Sequence, residues 1–457
     1  MAERRVRLGG ELAVMTYAFV KWVVLAVLAG VFVGAGSSGF VWMLRGGEWI
    51  SELIPQTPRL LLLFVGFSVS TYLIQKYAPD AKGHGTEKVI EAIHEKNAVI
   101  DVKVIPVKLA ATVVTLSCGG SAGKEGPAAQ IGAGIMSVFA QKFKFSEYDR
   151  KRLVVCGVSA GFAAIFGTPV AGAVFGIEVL FVGQMFYDVL FPSFISGMVS
   201  WLVSGWLGIV HPSYVITSVE AVTPGLIGCV ILAGWFFGLV ALLNVEIMGA
   251  IERAFSKVQA EPIVKALVGA LLVALLALIV GNEYLGLGTV TLDSFVAGTA
   301  ALPKSAFFWK MVFTAITLGC GGSGGVVTPI FFIGASAGAA FASTLGLDVP
   351  LFAGLGLVAT LAGCANTPIA ATFLGIELFG AAMGPLAALA SVAAFLTVGH
   401  RGIYPSQRLA RSKSPLIELS GDVERVDSPI GIFAADRSPV IMKIASFFKS
   451  RSNGGKN

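Results

Sequence analysis

The chain has 457 residues, 55% of them hydrophobic and only 13% charged, with a formal net charge of +6 and a mean hydropathy of +0.82. Soluble globular domains carry about a quarter charged residues, so a water-soluble enzyme with buried helices is a poor competitor for this composition. The positive charge lies in flanks, "ERRVR" (3–7), "QKFKFSEYDRKR" (141–152) and "HRGIYPSQRLARSK" (400–413). Such flanks beside apolar runs need no nucleic acid to explain them, and no nucleic acid is expected as a partner.

In chain order, the first apolar run covers 15–35 and shows no secretory cleavage pattern, which predicts a retained first membrane helix. Further runs follow at 59–75, 189–210, 222–243 and 263–281, each long enough to enter or cross a bilayer. Together they predict an all-α polytopic membrane protein embedded in lipid. The basic flanks place both termini in the cytoplasm and the chain in the cell inner (plasma) membrane. The five cysteines (118, 156, 229, 320, 364) have neither metal nor disulfide spacing and read as small packing residues. The four histidines (84, 94, 211, 400) have no ligand spacing either. No metal and no cofactor are expected. A membrane enzyme using Glu125 as acid or base would need a nucleophile, His pair or metal nearby, and the sequence offers none.

"GGSAGKEGP" (119–127) matches "GGSGGVVTP" (321–329) at an offset of 321 − 119 = 202 residues. "GTPVAGAVFGIEVLF" (167–181) matches "NTPIAATFLGIELFG" (366–380) at 366 − 167 = 199. Two matched blocks at nearly one offset predict a duplication, with repeats over 1–215 and 216–408 and a short cytoplasmic tail over 409–457. Such halves suit a transporter with inverted topology, whose broken helices meet at a site near the bilayer midplane.

Each nonapeptide is a Gly-rich turn leading through Pro into an apolar run. Amides at a helix start lack partners, Pro costs little there, and the dipole adds positive charge. Two such starts facing each other can hold a dehydrated anion without a fixed countercharge. Glu125 lies where the anion would lie, so it can compete with the ion and be released by protonation. A phosphate-binding loop is excluded, because Lys124 is followed by Glu and no strand–loop–helix unit surrounds it.

"GKEGP" (123–127), "GGVVTP" (324–329) and "KYAPDAKGHG" (76–85), in this order with the apolar runs, resemble the CLC family of chloride channels and proton-coupled chloride exchangers. The first is similar to that family's G-K/R-E-G-P element at every position. The second resembles G-x-F-x-P, with Val327 where Phe is usual. The third resembles the approach to G-S-G-I-P. The resemblance runs over roughly residues 15 to 410 and implies a prokaryotic-type homodimer with one chloride pathway per subunit, without paired regulatory domains. It implies Glu125 as gate, with the anion held by Lys124, Gly126, Val326 and Val327, by Gly85 and His84, and by the Tyr404 hydroxyl at the inner end.

Alternatives stay open at four places. His84 replaces the family's central serine and could donate to the anion or sit in a wet vestibule. Tyr404 could be an interfacial anchor. Lys108 could raise the potential of the path or snorkel to an interface. Glu178 could continue a proton path from Glu125, yet Val179 stands where family exchangers carry an inner glutamate, and Glu377 occupies the same place as Glu178 in the other repeat. Channel-like or weakly coupled conduction, proton-coupled antiport, and transport of another anion all fit. In the tail, 428–448 suggests a short strand or an amphipathic helix on the membrane surface.

Overall fold

The computed structural model describes residues 8–55, 59–214, 222–414 and 424–426. The tail segment 428–448 and the basic start 3–7 lie outside them. Sixteen α-helices occur among the described residues, in two series of eight. The first series is α1 (Leu8–Glu52), α2 (Leu62–Tyr77), α3 (Thr86–Glu95), α4 (Val104–Ser117), α5 (Glu125–Lys142), α6 (Glu147–Phe166), α7 (Pro169–Glu178) and α8 (Tyr187–Trp206). The second is α9 (Pro224–Lys257), α10 (Pro262–Val280), α11 (Thr289–Val296), α12 (Ala306–Gly319), α13 (Val327–Leu345), α14 (Val349–Ala365), α15 (Pro368–Phe379) and α16 (Gly384–Thr397). Five are long and apolar enough to cross a membrane: α1, α8, α9, α10 and α13. Of the others, α5 and α6 have 18 and 20 residues but are less apolar, and α2, α3, α4, α7, α11, α12, α15 and α16, with 16 residues or fewer, are too short to cross alone.

Local chemistry explains many of the boundaries. Pro opens α7, α9, α10 and α15, where its missing N–H costs little. Ser146, Thr223 and Asp348 cap α6, α9 and α14 by accepting the amides of Asp149, Leu226 and Leu351. Gly167, Gly346 and Asn366 stop α6, α13 and α14 in left-handed conformations. Glycine lets helices close-pack without side chains between them. A Cβ on Gly132 would lie 2.3 Å from the Gly157 carbonyl, and one on Gly334 would lie 2.2 Å from that of Gly356. α5 thus packs on α6 as α13 packs on α14, by the small-residue contact common in membranes.

The duplication extends to individual bonds. Lys108 Nζ donates to the carbonyls of Ala81 (3.1 Å) and Gly83 (2.7 Å), while Lys310 Nζ donates to those of Tyr284 (3.0 Å) and Gly286 (3.1 Å). Both lysines are fully buried, so Lys108 does not snorkel to an interface; its charge is spent on the loop before α3. Thr112 pairs with Ser323, and Thr314 with Ser121, each at 3.0 Å. Thr115 Oγ1 accepts the Ser323 amide and Thr317 Oγ1 accepts the Ser121 amide. Every mate is 202 residues away (310 − 108, 314 − 112, 317 − 115, 323 − 121). Reciprocal contacts of this kind define a pseudo-two-fold axis. The turns at Gly123 and Gly325 cross it antiparallel, so α5 and α13 leave it in opposite directions, the inverted arrangement expected of such repeats.

A small sheet departs from the all-helical expectation. β1 (Phe181–Val182) pairs parallel with β2 (Arg408–Leu409), which pairs antiparallel with β3 (Glu424–Arg425). Val182, Leu409 and Val426 bury a small apolar cluster there. The described part of the segment after 408 is therefore bound to the body of the protein.

Candidate functional site

The site begins where the two Gly-rich turns meet. Gly123 N donates to Gly325 O and Gly325 N to Gly123 O, both at 2.7 Å. This bridge sets the amino ends of α5 and α13 side by side. The first backbone bond of α5 runs from Ala128 N to Lys124 O, and that of α13 from Ile330 N to Val326 O. The amides of Glu125, Gly126, Val327 and Thr328 precede those bonds and face the junction without intrahelical acceptors. A third helix start joins them: Gly85, with φ +83°, precedes α3, and a Cβ there would lie 2.4 Å from the Gly126 carbonyl. A Cβ on Gly126 would lie 2.1 Å from the His84 carbonyl. Backbone alone fits at this crossing, which brings Gly85 and Gly126 together and sets Gly126 against Gly325, the residue before Val326 and Val327.

Glu125 is 1% exposed. Its Oε2 accepts from the Thr328 amide (3.1 Å) and the Thr328 hydroxyl. Its Oε1 is buried without a partner. The carboxylate thus leaves its own helix and docks on the amino end of the opposite one, taking the amide and dipole an anion would use. Sequence reading missed Thr328. The signal was its register, since it is the mate of Gly126 (328 − 126 = 202).

Outside the gate, Lys124 and Glu125 line a vestibule of about 380 Å³ with Arg45, Glu48, His211 and Asp293. Lys124 therefore stands at the mouth. His84 also lines a second cleft of about 270 Å³ with Lys82, Glu252 and Lys265, a cleft whose lining includes neither Glu125 nor Tyr404. Its carbonyl touches the junction, and its ring Nδ1 is buried without a hydrogen-bond partner.

Tyr404 is fully buried and its hydroxyl has no hydrogen-bond partner. Its electrostatic neighbours include Thr86, Glu87, Glu125 and Cys364, so it belongs to the protein interior and not to a membrane surface. A buried hydroxyl without a partner, near the starts of α3 and α5, is a donor awaiting an acceptor. Glu87, in the first turn of α3, turns aside from the path: its Oε1 accepts from the Ser406 amide (3.0 Å) and hydroxyl. That clamp holds the loop carrying Tyr404 against α3.

Glu178 Oε1 and Oε2 accept the amides of Ile369 (3.1 Å) and Ala370 (2.8 Å) at the start of α15. Glu377 Oε1 and Oε2 accept those of Val170 (3.0 Å) and Ala171 (2.8 Å) at the start of α7. Each acid caps the helix of the other half, across the same pseudo-two-fold axis. Glu178 also lines an open cleft with Gln184 and Arg411.

Two inverted halves, broken helices and an amide-lined junction plugged by a carboxylate define a membrane protein of anion transport. The Voltage gated chloride channel family model matches residues 66–399, and the chain belongs to that family. It is 37% identical over 404 residues to the Chloride/fluoride channel protein of Pseudomonas syringae pv. tomato, covering 86% of this chain and 87% of that one. It is 31% identical over 336 residues to the Voltage-gated ClC-type chloride channel ClcB of Shigella flexneri, covering 71% and 78%. Its fold superposes on the crystal structure of a CLC-type fluoride/proton antiporter with a TM-score of 0.82 at 29% identity, over 86% of this chain and 99% of that one. A slow cyanobacterial Cl-/H+ antiporter, at 20% identity and TM-score 0.71, shares the fold.

Proposed function

We propose that the protein exchanges a small halide, fluoride or chloride, for protons across the plasma membrane, with Glu125 as the shared gate and proton carrier. One observation carries this reading: the Glu125 carboxylate occupies the amino end of α13 through Thr328. An ion arriving there must displace the carboxylate, and a displaced carboxylate facing the vestibule can take a proton. Protonation removes the charge that held it to the amide and dipole, so the site opens as pH falls. The amides of Gly126, Val326 and Val327 and the Tyr404 hydroxyl would then hold the anion. Dense neutral donors suit a small, strongly hydrated halide, because several short N–H and O–H contacts replace its water shell. The likeness to a chloride/fluoride channel protein supports the halide, and the likeness to a fluoride/proton antiporter supports the halide and the coupling.

The test uses purified protein in liposomes, following fluoride, chloride and proton movement together. Uphill proton movement driven by a halide gradient supports exchange. Halide movement without protons would leave a channel gated by Glu125. We further propose that the subunits pair as homodimers with cytoplasmic termini, with the exposed apolar residues Phe191, Met198 and Leu202 of α8 and Val392 and Leu396 of α16 facing a second copy or lipid. Cross-linking in native membranes distinguishes the two.

A further inference from the structure

Among the described residues, two carboxylate oxygens are buried without a hydrogen-bond partner: Glu125 Oε1 and Glu87 Oε2. A buried carboxylate oxygen with no donor is a place where a proton is the missing partner. The residues share a second property. Both sit in the first turn of a helix at the central junction, α5 and α3, and both have valine as repeat mate, Val327 and Val290 (327 − 125 = 202; 290 − 87 = 203). The "GHGTE" stretch (83–87) has its mate in "GLGTV" (286–290), with the glycines and threonine kept and the acid absent. By contrast, the acids common to both halves, Glu178 and Glu377, have both oxygens filled by amides.

We propose that Glu87 is the inner proton-binding group of this transporter, loading protons from the side opposite the Glu125 vestibule and passing them toward Glu125. This rests on the exchange reading above. Glu87 is half-buried, with Oε1 anchored on Ser406 and Oε2 free, so it stands between solvent and the interior. Tyr404 has both acids among its electrostatic neighbours, and its orphan hydroxyl can accept one proton while donating another. The step balances: Glu87 goes from acid to carboxylate, Glu125 from carboxylate to acid, and Tyr404 ends as it began. One proton moves and no other group changes charge. The charges facing Glu87 are Lys88 on its own helix and Arg425 of β3, the latter paired with Glu95 at 2.9 Å. Burial, the larger influence, favours the protonated acid, while Ser406 and the two cations favour the carboxylate.

The experiment reconstitutes the full chain in liposomes and records halide and proton flux for wild type, Glu87→Gln and Ser406→Ala. Gln keeps an oxygen for the Ser406 amide and removes the titrating site. Halide flux is expected to persist in Glu87→Gln while proton flux drops on the order of a hundredfold, the scale of losing a positioned proton donor. Ser406→Ala is expected to keep both fluxes. Unchanged proton-to-halide stoichiometry in Glu87→Gln would overturn the relay. Loss of halide flux together with proton flux in Glu87→Gln would also overturn the relay, and equal loss in Ser406→Ala would then assign Glu87 to holding the Tyr404 loop. A wild type that moves no protons uphill would instead remove the exchange reading, a separate result.

Discussion

The first and second halves of the chain share a skeleton, and at the central junction a few side chains differ between them in a way that separates support from function. Lys108 and Lys310 tie down equivalent loops, Thr and Ser pairs stitch equivalent turns, and Glu178 and Glu377 cap each other's partner helices. What both halves keep is architecture. Where they part, at Glu125 against Val327, Glu87 against Val290, and Gly126 against Thr328, the residues line the junction. A duplicated fold can afford asymmetry only where some task other than folding requires it, and here each asymmetry adds an acid or its hydrogen-bond partner.

The largest expected effect breaks the symmetry at its tightest point. Gly126→Ala forces a Cβ into the His84 carbonyl at 2.1 Å, so halide flux should vanish in liposomes, although the mate position carries a threonine. Next come the mirrored lysines. Lys108→Met and Lys310→Met each strand two buried carbonyls, at about 1–3 kcal/mol apiece, and thermal unfolding in detergent should show similar losses for both. A cost at one site alone would mean that the halves do not bear load equally.

Glu178→Gln and Glu377→Gln should each cost about 1.5–3 kcal/mol, the scale of a hydrogen bond to a charged group, and should leave the proton-to-halide ratio alone. A change of ratio in Glu178→Gln only would return Glu178 to a proton path. The smallest effect belongs to Thr328→Val, which keeps the amide but removes the hydroxyl from the gate. A loss of about 1.5 kcal/mol in holding Glu125 corresponds to about tenfold faster halide flux at neutral pH, with Thr328→Ser near wild type.

Much of this was legible in the sequence because the signals are local. Gly-rich turns leading into Pro mark helix starts whatever the tertiary context, and two blocks at one offset mark the duplication. Glu125 was visible as a charge in an apolar setting. The contacts that were not legible span the chain: Ser406 meets Glu87 across 319 residues, and Thr328 meets Glu125 across 203. No periodicity encodes such pairings. Lys310 could have been found by extending the 202-residue offset from Lys108, and "GLGTV" by extending it from "GHGTE". His84 is a mixed case: aligning it with the family's serine located its backbone at the Gly126 crossing, while the second cleft it also lines is built in part from residues far away in sequence.

The central claim is that the Glu125 carboxylate holds the place of the anion on α13 until a proton releases it. Halide flux from liposomes, measured across a pH series for wild type and Glu125→Gln, tests this directly. The wild type should speed up as pH falls and the variant should run at one rate throughout. A variant that still accelerates in acid would mean that another group closes the path.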